Sequence, residues 1–318
     1  VTANEIGPFG LRQKDGRVLL AFDAVHVEFE PGCGGRVARL RLNETELLVG
    51  PSVHPDNWGS TYWTSPQTDW GWPPVAAVDH EPYGVAVEGS SVVLTSGSAL
   101  AGPKRLSVTK RFTPRSLSGT DATARGGNPS GTAGTGRTQV PGLTVEYVVR
   151  NLGEEPFSIA SWEISRVPPG GLSFFEAGAR EYTLVGPHTI LPTTKRGGIT
   201  WFDHRDFVAG QGAKLNADSP GSWLAHVVRG PRPVLFLKRY QPVPLDAQAP
   251  GEGVVELYAD ELGSYVEVEN QGPFALIEPA GTSTYRVDWL LAELPEGLEP
   301  GVDAPELVAF VHSLLAVP

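Results

Sequence analysis

A single cysteine in 318 residues leaves no partner for an internal disulfide and no thiolate set for a metal cluster. Cys33 lies in a Pro-Gly-Cys-Gly-Gly turn and reads as a small buried or half-buried residue rather than a nucleophile. No 18 consecutive apolar residues occur, so membrane insertion by a helix is not expected. No lysine and arginine run offsets the formal charge of −11, which repels nucleic acid and anionic membrane surfaces. The opening VTANEIGPFG lacks the basic region and apolar stretch of a signal peptide, which suits a cytoplasmic chain and a mature secreted one equally. Helical periodicity is scarce as well: one stretch, Ala304 to Leu314, carries it, with Asp303 as its expected cap and Glu306 at the capping-box position.

What the chain does have is turn residues, 38 glycines and 29 prolines, around a 40% hydrophobic content that suffices for a core. Short alternating apolar runs recur throughout. The early ones are Val18 to Phe22, Val25 to Glu30, Arg36 to Leu42, Val85 to Thr95 and Leu106 to Phe112. Later come Leu143 to Asn151, Phe157 to Val167, Leu172 to Glu176, Ile199 to Phe202, Trp223 to Val228, Val234 to Tyr240, Val254 to Ala259, Tyr265 to Asn270 and Thr284 to Leu294. So many strands exceed a small barrel and fit an all-β, two-sheet sandwich with a short C-terminal helix. Residues 114–142 have few large apolar side chains and read as a flexible Gly/Ser/Thr-rich hairpin loop inside a single domain, 1–318, rather than as a linker.

Four segments carry candidate chemistry. NWGSTYWTSPQTDWGWPP holds Trp58, Trp63, Trp70 and Trp72 beside Asn57, Thr64, Gln67 and Asp69. Rings next to amides and hydroxyls suit a sugar, whose C–H face stacks while its hydroxyls bond; the alternative is a loop whose indoles plug the end of the sandwich. In SYVEVENQGP the strand period puts Val266 and Val268 on the core face and Tyr265, Glu267 and Glu269 on the other, the two carboxylates roughly 7 Å apart. Neighbouring negative charges raise each other's pKa and suit acid/base work, although a solvated sheet face would look the same. In SIASWEISRV, Ser161, Glu163 and Ser165 share one face and Trp162, Ile164 and Arg166 the other, so one charge is paired or lies in a site, or else a surface salt bridge accounts for it equally well. TWFDHRDF brings Asp203, His204, Arg205 and Asp206 together, either as a polar turn or with His204 as a general acid. Asp203, His204 and Asp206 could contribute to a calcium or other cation site, but the spacing matches no strict metal-ligand pattern, and no obligatory metal or other cofactor is expected.

Together the segments GGRVARLRL, GSTYWTSPQTDWGWPP, SWEISRVPPGG, KLNADSPGSWLAHV, VLFLKRY and VEVENQGPFALIEPAGTSTYRVDWLL resemble a bacterial family known as DUF4380, with a galactose-mutarotase-like β-supersandwich. That superfamily implies a sheet-face groove used on sugars. Mutarotases place a glutamate base on a late strand; VEVENQGP is similar, which assigns Glu269 to that role with Glu267 beside it. Their middle strand carries a general-acid histidine, and the equivalent stretch here, SWEISRV, has none. The acid then falls to Glu163 or His204.

Three functions follow as expectations. The first is an aldose 1-epimerase-like or other acid/base sugar-processing enzyme, using Glu269, Glu267, Glu163 and His204. Trp58, Trp63, Trp70, Trp72, Gln67 and Tyr265 would then bind substrate, with Arg166 and Lys238 for a sugar acid or phosphate. The second is a carbohydrate-binding protein without catalysis, and the third a scaffold with no small ligand. The partner expected is a sugar or oligosaccharide, and oligomeric state is not legible.

Overall fold

The computed structural model describes residues 10–120, 137–182, 188–210 and 212–316. Two large sheets face each other. The first runs Gly10–Lys14, Arg17–Phe22, Val25–Glu30, Arg36–Leu42, Ser60–Ser65, Phe157–Val167, Val266–Gln271, Val255–Ala259, Ala213–Ala217 and Glu181–Tyr182 in spatial order. The second runs Thr194–Arg196, Ile199–Asp203, Leu172–Glu176, Trp223–Val228, Val234–Tyr240, Thr282–Glu293, Arg137–Asn151, Lys104–Thr120, Ser91–Thr95 and Gly84–Glu88. The expected architecture is the one found, a two-sheet all-β sandwich with a short C-terminal helix.

Alternation builds the core. Val255, Leu257, Val266 and Val268 of the first sheet join Tyr147, Phe112, Phe236 and Trp289 of the second in one continuous apolar cluster. Aromatic contacts mark its centre: Phe29 lies 4.7 Å from Phe112, and Tyr62 stacks on Tyr147 at 4.9 Å. Burial of such rings is the main favourable term in holding the two sheets together.

Several local expectations change. The Val85 to Thr95 run is two strands, Gly84–Glu88 and Ser91–Thr95, turning at Gly89 with φ +62°. The hairpin around residues 114–142 keeps its ladder up to the Thr120–Arg137 pair, so strand extends into the stretch read as loop; residues 121–136 lie outside the described residues. The helix is Pro305–Leu315, and its N-cap is Ala304 with no side-chain cap bond. Asp303 instead adopts φ +64° and pairs with Arg196, while Pro305 opens the helix, where its missing N–H costs nothing. His312 packs edge-on to Trp223, ring centroids 6.1 Å apart, which ties the helix to the second sheet. No helix among the described residues is long and apolar enough to cross a membrane.

Of the strands not expected from the sequence, one matters most. Ser60–Ser65, inside the tryptophan segment, is a fully buried strand paired with Phe157–Val167, placing Trp63 opposite Trp162 and Thr61 opposite Ile164. Polar residues on a strand buried on both sides hide the alternation that marks a half-solvated one.

Candidate functional site

The outer face of the first sheet, away from the core, carries a dense buried polar layer. Period two sends Thr61, Trp63 and Ser65 to this face from one strand, Trp162, Ile164 and Arg166 from the next, and Glu267, Glu269 and Gln271 from the third. Glu256 and Tyr258, then Lys214 and Asn216, complete it from the two strands beyond. Register fixes the neighbours: Arg166 stands opposite Glu267, Ile164 opposite Glu269, Glu269 opposite Glu256, and Tyr258 opposite Lys214.

Each acid in this layer has a specific partner. Arg166 Nε donates to Glu267 Oε1 at 2.8 Å, and the Trp162 indole N–H donates to Glu269 Oε2 at 2.6 Å. Lys214 Nζ lies 2.5 Å from Glu256 Oε2, with its ammonium 5.2 Å from the centroid of the Trp162 ring. Gln271 Nε2 donates to both Glu256 and Glu252, at 2.7 and 2.8 Å. Glu252 in turn accepts from the Gln67 backbone N–H and from the Ser65 hydroxyl, tying the tryptophan segment to this face. Four buried atoms of this layer have no hydrogen-bond partner: Arg166 Nη1, Glu269 Oε1, Asn216 Oδ1 and Glu256 Oε2, the last still ion-paired with Lys214.

Toward the other side of Arg166 the layer continues through Asp79, the last residue of a four-residue helix, Ala76–Asp79. Its Oδ1 accepts from Thr61 Oγ1 at 3.0 Å and Trp63 Nε1 at 2.8 Å, and its Oδ2 accepts from Arg36 Nη2 at 2.9 Å. Gly34 makes this approach feasible: at φ +64°, a Cβ there would sit 1.7 Å from the Asp79 carbonyl oxygen.

Burial sets the electrostatics. It lifts the Glu269 carboxyl well above the ordinary carboxylate range; Lys214 opposes that rise, while Glu256 and Glu267 add to it. Burial likewise pushes Glu256 up to about 7 against the pull of Lys214. For Lys214, burial lowers the ammonium, but the carboxylates of Glu256 and Glu269 outweigh it and leave the group above its ordinary value. Asp79 goes the other way, since Arg36 and the Trp63 N–H overcome its burial.

Of the residues singled out in the sequence, this face gathers Glu267, Glu269, Arg166 and Trp63, with Tyr265 beside them. The Tyr265 hydroxyl accepts from Asn57 Nδ2 at 3.0 Å. Trp70 and Trp72 lie 5.9 and 6.0 Å from the Trp63 ring, and Trp72 is 64% exposed. The expected stacking wall is therefore mostly closed: Trp63 is buried, as is Trp58, whose N–H is used by Pro55 O beneath the Arg36 guanidinium. Gln67 turns its amide back toward Gly71 O.

Three assignments need correction. Glu163 points into the core, where Tyr147 Oη, Trp289 Nε1 and Lys238 Nζ reach it at 2.7, 2.9 and 2.9 Å, so it cannot act beside Glu269. Lys238 is spent on that ion pair and on Val268 O, and is not available to an anionic ligand. His204 follows a strand of the second sheet, its Nδ1 accepting from Gly170 N–H and its ring packed on Phe207; burial lowers its pKa, which disfavours the charged acid. Lys214, Glu256, Glu252, Gln271 and Asp79 were missed. The first two were findable: KLNA and VELYA set Lys214 and Glu256 between apolar core positions, as VEVE does for Glu267.

No family model matches the chain, and no curated protein matches it. Solved structures do. A galactose mutarotase-like protein from Lactobacillus casei superposes with a TM-score of 0.57 at 11% identity, over 87% of this chain and 100% of that one. A proposed aldose 1-epimerase from Escherichia coli gives 0.54 at 12% identity, covering 87% and 98%. A galactose mutarotase related enzyme from Lactobacillus acidophilus gives 0.53 at 6% identity, covering 89% and 100%. The fold is the galactose mutarotase-like sandwich. Identities this low carry the architecture alone, so on this mutarotase-like frame any activity must be argued from the residues of the outer face.

Proposed function

We propose that the protein acts on a carbohydrate at the outer face of its first sheet, as an aldose 1-epimerase-like or related acid/base catalyst, within the DUF4380-like group its motifs resemble. The observation that carries this reading is that Arg166 Nη1 and Glu269 Oε1, two of the buried atoms left without a hydrogen bond, are flanked by indoles and by the ion-paired Glu267. A buried donor and a buried carboxyl oxygen left open suit a ligand rich in hydroxyls, because an unmade buried hydrogen bond is costly.

Charge narrows the ligand. The three cations of the face, Arg36, Arg166 and Lys214, already meet Asp79, Glu267 and Glu256, and Glu252 and Glu269 add further carboxyls. A phosphate or uronate would find no uncommitted cation, so an uncharged sugar replaces the anionic one expected from Arg166 and Lys238. Ring opening then divides as follows. Glu267 takes the proton of the anomeric hydroxyl, the bond between C1 and the ring oxygen breaks as the C1 carbonyl forms, and protonated Glu269 donates to the ring oxygen. Closure on the opposite carbonyl face reverses both transfers. This puts Glu269, kept neutral by burial, in the donor role rather than that of the base.

A second reading, binding without turnover, is favoured by the depth of both carboxyls, Glu269 being 0% and Glu267 7% exposed. Polarimetry of freshly dissolved α-D-glucose and α-D-galactose separates the two. Catalysed mutarotation that falls about 100-fold or more in Glu269→Gln, with calorimetric binding retained, supports catalysis. Binding without any acceleration by the wild type leaves only the second reading.

A further inference from the structure

Glu256 lies outside every catalytic role assigned so far, yet it stands directly across the ladder from Glu269. The two are directly opposed on adjacent antiparallel strands and point to the same face, where cross-strand Cβ atoms stand about 4.5–5.5 Å apart. Both are closed off from solvent. Glu256 is held from two sides, by Lys214 Nζ at 2.5 Å and Gln271 Nε2 at 2.7 Å. Glu269 is held only at Oε2, by Trp162, and its Oε1 has neither a hydrogen bond nor an ion pair, whereas Glu256 Oε2 keeps the Lys214 ammonium. Two buried carboxyls sharing one nearby ammonium cannot both carry full charge at low cost.

We propose that Glu256 and Glu269 form one proton-sharing pair with Lys214 as counter-ion, in which Glu256 is the positioning residue that keeps the Glu269 carboxyl protonated. As Glu256 ionises it takes the Lys214 charge to itself and places a negative charge beside Glu269, so the remaining proton stays on the group with the open oxygen. The other charges bearing on the pair are Glu267 on the same strand, Glu252 across Gln271, and Lys238 from the opposite sheet. The upward displacement of both carboxyls agrees with this arrangement. The proposal deepens the acid role given to Glu269, but the pair itself is independent of any sugar.

The test is a carboxyl-carbon NMR titration of protein labelled at glutamate Cδ, for wild type, Glu256→Gln and Glu269→Gln. In the wild type both carbons should titrate in two mirrored steps. In Glu256→Gln, Glu269 should titrate in a single step displaced downward by about one pH unit or more. Linkage requires Glu256 to shift equally in Glu269→Gln, which keeps the test decisive if one variant does not fold. Single, independent curves unchanged by the partner's loss would overturn the pair. Polarimetry on α-D-glucose adds a separate arm: the alkaline limb of the pH profile should move down in Glu256→Gln. Coupled titration without wild-type mutarotation would sink the sugar reading and leave the pair standing; mutarotation with uncoupled titration would do the reverse.

Discussion

The Lys110 side chain reaches from the second sheet to the Gly34 carbonyl at 2.7 Å, and its ammonium lies 4.9 Å from the centroid of the Tyr83 ring. Burial lowers it to about 7, against support from Asp79. The unfolded chain therefore binds more protons than the folded one between about pH 7 and the ordinary lysine value. The penalty for burying the charge is in full force below pH 7, and this residue's contribution to stability rises as pH climbs from about 7 toward 10. Urea unfolding at pH 7, 8.5 and 10 should show that rise in wild type, and Lys110→Met should flatten it; an unchanged slope in the variant would remove Lys110 as its source. The same scale explains why Glu163 and Glu269 were not separable by type. Both are glutamates on β-strands, and only the facing of each strand sends one to Lys238 in the core and the other to Trp162 on the outer face.

At the scale of elements, the facing of Val266 to Gln271 was legible because valines alternate with acids; on Phe157 to Val167 the sequence pointed to one paired charge, where both Glu163 and Arg166 are paired. The strand Ser60–Ser65 was not, since its hydroxyls are satisfied by Ile164 O, Asp79 and Glu252 rather than by water. Nor was the short helix that delivers Asp79. The tryptophan segment consequently divides into parts with different work. Trp63→Ala should cost about 3–5 kcal/mol by chemical unfolding, because its ring packs on Trp162 at 5.2 Å and its N–H serves Asp79. Trp72→Ala should leave stability within about 0.5 kcal/mol and weaken sugar binding measured by calorimetry. Equal destabilisation by both would contradict this division between a structural and an exposed ring.

For the whole molecule, the question is what couples the two sheets beneath the candidate site. The apolar cluster spans them, but one polar bridge does so with direction. Lys238 of the second sheet bonds Glu163 of the first and also Val268 O, the carbonyl between Glu267 and Glu269 on their own strand. Tyr147 and Trp289, on two further strands of the second sheet, close the same carboxylate. Such a pair adds little net stability over a well-packed apolar pair, yet losing one member strands a buried charge. Glu163→Gln should therefore cost about 3–5 kcal/mol, and Lys238→Met a comparable amount. The double variant should be less destabilised than the two singles sum to, with a coupling of about 2 kcal/mol or more in a chemical-denaturation cycle. Additive losses would mean that the two charges do not depend on each other. Because the bridge ends on the backbone between the two glutamates, the double variant should also perturb the Glu269 carboxyl-carbon resonance, while the far-edge strands Gly10–Lys14 and Arg17–Phe22 of the first sheet keep their chemical shifts.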